Sequence, residues 1–420
     1  MNPPISERVA RGLLPAGADA AVLPLLLGRG LRAAVDGYMA VLLPAYLLAL
    51  GMGTLEVGVI ATATMLGSAL ATVAVGGWGH RFRSRRLLRG AALLMAATGI
   101  GFAGFSSFWP LLLVAFVGTL NPSSGDVSVF LPLEHARLAA AASGSARTAL
   151  FARYSLFGAL CAAFGALAAT VPAWLSAHGI APLVALRSMF VLYGAIGLLV
   201  WWLYRPPPAA AATGDGEDPA EVAEPTVTPL GPSRRIVVRL AALFSVDAFA
   251  GGLLVNSLLA LWLFERFGLS LGQAGVFFFW AGLLGAASQL AAPRVAQRIG
   301  LLNTMVFTHI PANVCLVLAA FAPSLSVALG LLFVRAALSQ MDVPTRTAYV
   351  MAVVTPAERT AAASFTAVPR SLAGALSPTL SGALFAAGWI AAPLIACGLL
   401  KIAYDLTLWR ACRRDALLDL

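Results

Sequence analysis

The sequence predicts an all-α polytopic membrane protein whose twelve transmembrane helices form two pseudo-symmetric six-helix bundles. Three observations carry this. First, the 420 residues are 60% hydrophobic and only 11% charged, with a mean hydropathy of +0.87, whereas a soluble chain carries about 25% charged residues. Second, the charges cluster between apolar runs of about 20 residues, the length that crosses a bilayer as a helix. Third, features of the first half recur in the second. Together they exclude a soluble enzyme, a nucleic-acid binder, a coiled coil and a disordered chain. An outer-membrane barrel would instead show alternating segments of about 10 residues.

Apolar runs place the first six spans at 30–50, 55–78, 87–105, 109–132, 146–170 and 183–204. The second six follow at 237–263, 271–293, 301–321, 324–347, 361–387 and 390–409. Residues 1–29 read as an N-terminal tail rather than a signal peptide, because Glu7, Arg8, Arg11 and Asp19 come first and no cleavage site follows. The two bundles take 30–205 and 234–410, and 411–420 form a C-terminal tail. The stretch 206–233 holds seven prolines and five acids, the composition of a disordered linker.

The basic residues are 27 arginines and one lysine, Lys401. With the N-terminus in the cytoplasm, inside segments hold Arg29, Arg81, Arg83, Arg85, Arg86, Arg137, Arg205, Arg234, Arg235, Arg294, Arg298 and Arg359. Arg410, Arg413 and Arg414 follow at the end, while the outside loops hold Arg266 and, just inside span six, Arg187. This bias puts both termini inside. Cys161, Cys315 and Cys397 lie in apolar runs and, with Cys412, show no metal-ligand spacing, so they read as packing residues.

The repeat is carried by charges. Val35-Asp36-Gly37-Tyr38 and Leu47-Leu48-Ala49-Leu50 recur at an offset of 211 as Val246-Asp247-Ala248-Phe249 and Leu258-Leu259-Ala260-Leu261. Asp126-Val127 recurs as Asp342-Val343 at offset 216, and Arg153-Tyr154-Ser155-Leu156 has a counterpart in Arg370-Ser371-Leu372. A parallel repeat of six-helix halves is a transporter architecture.

Between spans two and three stands Gly76-Gly77-Trp78-Gly79-His80-Arg81-Phe82-Arg83-Ser84-Arg85-Arg86, with a weaker copy, Gln297-Arg298-Ile299-Gly300, between spans eight and nine. Pro356-Ala357-Glu358-Arg359 precedes span eleven. These motifs resemble those of the major facilitator superfamily, over nearly the whole chain from Arg29 to Arg410. The resemblance implies that spans one, four, seven and ten line a central cavity, flanked by five and eleven. The chain departs from the family pattern where His80 replaces an Asp of the cytoplasmic charge lock and Arg83 a Gly. Span five lacks the Gly-Pro motif of many exporters, and Gly374 to Gly382 in span eleven holds only a partial version. The Asn121-Pro122-Ser123-Ser124-Gly125-Asp126 run in span four is distinctive and points to no particular subfamily.

A charge at the centre of a spanning helix costs at least ~2.5–3.5 kcal/mol, so each one here marks a pairing or a pathway. Arg335 lies about 16 Å into span ten and Arg370 about 14 Å into span eleven. They are candidate grips for an anionic solute, since guanidinium stays charged and binds carboxylate or phosphate bidentately; otherwise they are partners for Asp247 or Asp342. Asn256 and Gln340 either hydrogen-bond a solute or bridge helices. Asp36 and Asp247, matched in the inner third of spans one and seven, are candidate proton carriers. Asp126, Arg153, Asp342, Arg346, Arg81 and Arg298 are candidate gating charges, with Arg346 one turn beyond Asp342. Lys401 and Asp405 read as a structural pair within span twelve, Glu134 and Arg137 as a solvated loop pair, and His135, His178 and His309 as scattered.

The chain lacks Gly-x-x-x-x-Gly-Lys-Ser/Thr, His-Glu-x-x-His and Gly-x-Ser-x-Gly, so ATP-driven transport and enzymatic chemistry are not expected. The reading is a secondary transporter of the bacterial inner membrane, acting by alternating access on a small-molecule, preferably anionic, substrate. Protons are the expected coupling ion, and it works as a monomer in the bilayer with no cofactor, metal or nucleic-acid partner. The alternative of the same class is proton-coupled efflux of lipophilic or cationic compounds; a membrane sensor without transport, or a membrane-embedded enzyme, is more remote.

Overall fold

The computed structural model describes residues 14–15, 19–78, 81–123, 129–205, 231–355 and 358–413. The described chain is helical throughout. The first bundle comprises α1 (Leu23–Ala49), α2 (Thr54–Trp78), α3 (Ser84–Gly104), α4 (Phe108–Val117), α5 (Phe130–Ala140), α6 (Gly144–Ala166), α7 (Val171–Ala177) and α8 (Pro182–Leu203). The second comprises α9 (Arg234–Gly252), α10 (Asn256–Phe267), α11 (Leu271–Ile299), α12 (Leu301–Ala320), α13 (Leu325–Ser339) and α14 (Asp342–Val353). It ends with α15 (Arg359–Leu376), α16 (Pro378–Ala386) and α17 (Ala392–Cys412).

Twelve spans result because five are helix pairs: four (α4–α5), five (α6–α7), seven (α9–α10), ten (α13–α14) and eleven (α15–α16). Ten spans are long and apolar enough to cross a membrane by length and composition, spans four and eleven not being among them. The interruptions have local causes. In span four, Gly118 adopts an extended backbone after α4 and Pro122 has no N–H to continue a helix. In span eleven, Pro378 starts a new helix after Ser377. In span seven, the Gly251-Gly252 pair ends α9. The apolar-run reading treats all five as single helices, and it starts span one too late. Proline in the first turn opens α1 at Leu23, so Arg29 lies inside the span rather than in a tail.

The turns at one end of the bundle, between spans one and two, five and six, seven and eight, and eleven and twelve, each contain a glycine at positive φ: Gly51, Gly179, Gly268 and Gly388. At the other, arginine-rich end, Gly300 (φ 84°) closes the turn after Gln297-Arg298-Ile299. Large apolar side chains such as Trp109, Leu113, Ile100, Phe321 and Trp389 are more than 60% exposed around the outside. A soluble protein does not leave such a surface in water; a bilayer covers it.

The halves meet at the glycine-turn end. One core cluster there contains residues of both bundles, among them Tyr46, Leu47, Phe190, Trp262, Leu263 and Phe277. Towards the arginine-rich end the core divides in two. One cluster, around Leu26, Phe130, Tyr154 and Tyr204, belongs to the first half; the other, around Phe244, Met305, Tyr349 and Leu408, to the second. The seal is polar as well as apolar. Thr379 donates its backbone N–H to Thr62 Oγ1 at 2.9 Å, and the two hydroxyls lie 2.8 Å apart. Phe164 and Phe279 pack with ring centroids 5.2 Å apart. The bundle is thus closed at the glycine-turn end and parted at the arginine-rich end.

Candidate solute site

Where the halves part, a cavity of about 270 Å³ opens between spans one, four and five on one side and seven, eight and ten on the other. Its charged lining is Arg29 and Asp36 from α1 and Arg335 from α13. Ser123, Ser155, Asn256, Gln289, Ser339 and Gln340 add hydrogen-bonding groups, and Phe277 and Phe278 an apolar wall. Asp36 is thirteen residues into α1, as Asp247 is into α9. At about 20 Å from the helix start, Asp36 sits near the middle of span one rather than in its inner third, whereas Asp247, in a span that runs on to Phe267, sits close to the boundary of the inner third.

Arg335 is the isolated charge of this site. Its Nε is buried without a hydrogen-bond partner, and among the described residues it forms no ion pair. Neither Asp247 nor Asp342 takes it. Arg370 does not join it in the cavity lining. It is exposed and stands near enough to Arg346, Asp247 and Asp342 to feel their charge, again without a described partner. Asn256 and Gln340 both line the cavity and bridge helices. Asn256 Nδ2 donates to the Ser123 carbonyl at 2.9 Å, and Gln340 Oε1 accepts from Gln289 Nε2 at 3.3 Å.

The first of these bridges belongs to a latch. Ser257 N–H donates to the Pro122 carbonyl at 3.0 Å, and Asn121 Oδ1 accepts from the N–H and hydroxyl of Ser123 at 3.0 and 2.7 Å. The interrupted backbones of spans four and seven therefore satisfy each other's exposed polar groups. This latch lies on the closed side of the cavity and shares Ser123 and Asn256 with it.

The gating candidates fall into three groups. Asp342 and Arg346 pair at 2.6 Å, as their spacing predicts. Arg346 also reaches Asp247 at 3.1 Å, and Lys401 binds the other Asp247 oxygen at 2.6 Å. These ion pairs join elements of the second half to one another, not the two halves. Arg81, Arg153 and Arg298 are exposed, and Asp126 lies outside the described residues, as do His80 and the linker at 206–230.

Two expected pairs are corrected. Lys401 binds Asp247 rather than Asp405, and Asp405 binds His309 Nδ1 at 3.0 Å. Glu134 is no solvated loop residue. It is fully buried and accepts two 2.6 Å bonds from Arg32 Nη2, one of 2.5 Å from Tyr204 and one from Tyr154. Arg32 also lies 3.8 Å over the Phe130 ring. Sequence reasoning missed Arg32 and, as a cavity residue, Arg29. Their signal was the spacing: Arg29, Arg32 and Asp36 recur at three and four residues, one helix face.

Comparison with known proteins agrees with this architecture. A family model described as Major Facilitator Superfamily matches residues 25–341. The uncharacterized membrane protein YJR124C of Saccharomyces cerevisiae is 22% identical over 391 residues, covering 86% of this chain and 87% of the yeast protein. The inward-open xylose transporter XylE from E. coli superposes with a TM-score of 0.70 at 17% identity, over 92% of this chain and 96% of that one. The nucleoside transporter NupG gives 0.68 at 12% identity, over 92% and 98%. An inward-facing bacterial homolog of the human lysosomal transporter Spinster gives 0.67 at 17%, over 93% and 94%. With the family model spanning most of the chain, both halves in their expected order and the cavity between them, this chain belongs to the Major Facilitator Superfamily.

Proposed function

We propose that the protein is a secondary active transporter that carries a small anionic solute by alternating access, with Arg335 holding the anionic group. The observation that carries this reading is the isolated Arg335 guanidinium, facing a cavity between the halves with no described counter-ion. A buried cation left unpaired is a standing electrostatic debt that an anionic ligand discharges. Ser123, Asn256 and Gln340 supply hydrogen bonds that orient such a solute. Assigning the arginine-rich end to the cytoplasm, as the positive-inside rule directs, makes this an inward-open state of an inner-membrane protein with both termini inside. The neighbours named as transporters of xylose and nucleosides support a small, hydrophilic cargo.

Asp36 on the opposite wall favours one competing reading, proton-coupled export of lipophilic cations. A single experiment separates the two. Thermal shift of the purified protein is measured against solutes grouped by charge, with Arg335→Ala and Asp36→Asn in parallel. A ligand at 100 times its Kd stabilises by about 2.7 kcal/mol. Stabilisation by anions that vanishes in Arg335→Ala supports the proposal. Stabilisation by lipophilic cations that survives Arg335→Ala and vanishes in Asp36→Asn overturns it.

A further inference from the structure

One charged pair stands apart from the cavity. His309 on α12 and Asp405 on α17 are 4% and 1% exposed. The imidazole Nδ1 lies 3.0 Å from each carboxylate oxygen, and no other described side chain hydrogen-bonds either group. An ionised carboxylate with neither cation nor proton beside it is not tolerated in such surroundings. Electroneutrality therefore puts one proton on the pair, as imidazolium with carboxylate or as imidazole with carboxylic acid.

Lys401 lies one helical turn before Asp405, the spacing at which side chains on a helix meet. In this structure its ammonium has turned the other way, to Asp247 Oδ1 at 2.6 Å. Asp247 has a second cation in Arg346 at 3.1 Å, so it is not stranded if Lys401 leaves. One lysine thus stands between two acids.

We propose that His309 and Asp405 form a proton-binding site of the transporter, worked by Lys401 as it exchanges Asp247 for Asp405. With Lys401 on Asp247, the pair keeps its proton. When Lys401 turns to Asp405, its charge takes the proton's place. His309 is left as neutral imidazole, Asp405 as carboxylate, and the proton passes to water. Apart from this transfer, no covalent bond changes.

The surroundings set what the exchange responds to. The charged and titratable groups that act on the pair itself are Lys401 and Tyr404 on α17 and Asp247 on α9; beyond them, Arg346 on α14 and Arg370 on α15 act on Asp247, and Asp342 on α14 acts on both arginines. Arg335 on α13 and the exposed Arg294 and Arg298 on α11 are not bonded to it. Three acids (Asp247, Asp342, Asp405) balance three cations (Arg346, Lys401, protonated His309), and Arg370 adds one positive charge. Losing the proton cancels that surplus; an anion beside Arg370 cancels it while the proton stays. Proton and anion therefore favour each other, which is cotransport in one direction. This last step rests on the anion reading; the proton site itself does not.

The test needs no substrate. The full-length protein, with ring-15N histidine, is placed in lipid nanodiscs at about pH 7.5. Nitrogen NMR reads the imidazolium and infrared spectroscopy the carboxylic-acid band, assigned by their loss in His309→Gln and Asp405→Asn. One proton on the pair is expected. A neutral imidazole beside an ionised carboxylate overturns the site. Asp247→Asn, which releases Lys401, is expected to drive the proton off, and Lys401→Met added to it to restore the proton. A proton unmoved by Asp247→Asn refutes the exchange. Lys401→Met alone, which removes the competing cation, is expected to keep the proton, and its loss there refutes the exchange as well.

Discussion

The two halves build the same kind of buried charge cluster with its signs exchanged. In the first half the cation, Arg32, is on span one and the acid, Glu134, on span four. In the second the acid, Asp247, is on span seven and the cation, Arg346, on span ten. The difference goes beyond sign. Glu134 accepts from Arg32, Tyr154 and Tyr204 and is closed off completely. Asp247 shares Arg346 with Asp342, and Lys401 has Asp405 a turn away. Arg370 stands beside them without a described partner, and the Tyr404 hydroxyl is unbonded. The first half's cluster satisfies every one of its groups, whereas the second leaves Arg370 and the Tyr404 hydroxyl over and sets Arg346 against two acids. Under the proposed transport cycle, the first half is a fixed post and the second its charge-exchanging partner.

The most forceful way to break this comparison is to remove one acid from each half. Glu134→Gln takes from the buried Arg32 the carboxylate it is bonded to, a change of the kind that destabilises by about 3–5 kcal/mol. Asp342→Asn leaves Arg346 still bound to Asp247 and is expected to lose less, about 1.5–3 kcal/mol, the worth of one hydrogen bond to a charged group. Equilibrium unfolding in detergent ranks the two. If Asp342→Asn is the more damaging, the first half is not the rigid one.

Arg335→Ala sharpens the comparison at the cavity. Removing a cation that no described residue pairs with is expected to leave stability unchanged or raised, while weakening anion binding by about 1.5–3 kcal/mol, roughly 10–100-fold in Kd. Calorimetric titration with the anion found by thermal shift reads the affinity. Unchanged affinity in a folded variant sinks the site assignment.

How much of this was legible in the sequence depends on whether partners are near in the chain. Asp342–Arg346 was, because four residues make one helical turn. Lys401–Asp405 satisfied the same rule and was nonetheless wrong, because Asp247, distant in sequence, sits closer to the ammonium in the folded bundle. Glu134 was misread for the same reason: Arg137 is near in the chain, but the true partner is 102 residues earlier. Number, order and pairing of spans followed from apolar runs and the repeat. The interruptions in five of them did not: in spans five, seven, ten and eleven the break is only one to four residues and barely lowers the hydropathy of a run, and in span four the apolar run continues past Gly118. Arg335 was found by depth alone, and its isolation among the described residues required knowing where their acids went.

The latch offers a smaller effect. Asn256→Ala removes one hydrogen bond between the halves, worth about 1 kcal/mol, and is expected to move the equilibrium towards opening at the glycine-turn end by about fivefold. Labelling of a cysteine placed at Thr379, in a background without the native cysteines, measures this. Faster labelling in the Asn256→Ala background is expected; an unchanged rate places the seal in the Thr62 and core contacts instead.

The smallest effect returns to the comparison of halves at the arginine-rich end, where each bundle ties its first span to the loop between its fourth and fifth. In the first half the tie is a backbone bond, Asp19 N–H to the Ala141 carbonyl at 3.1 Å. In the second, Glu358 does the work, accepting from the Gly231 N–H, from Thr355 Oγ1 at 2.7 Å and from the Ser233 N–H. Hydrogen bonds from Ser233, Thr355 and Gly231 pull its carboxyl from 4.5 down to about 2. A group whose folded value is depressed contributes its stability in full above the unfolded value and loses it as pH falls through the folded one. The second half's tie should therefore hold unchanged from neutral pH down to about 4.5 and weaken between there and 2, while the backbone tie of the first half has nothing to titrate. Unfolding midpoints of the wild type and Glu358→Gln, followed from pH 7 to 2, are expected to differ by a constant amount above pH 4.5 and to converge below it. A difference that instead widens on acidification would mean that Glu358 is not held as a carboxylate, and that the two ties do not differ in the way their chemistry implies.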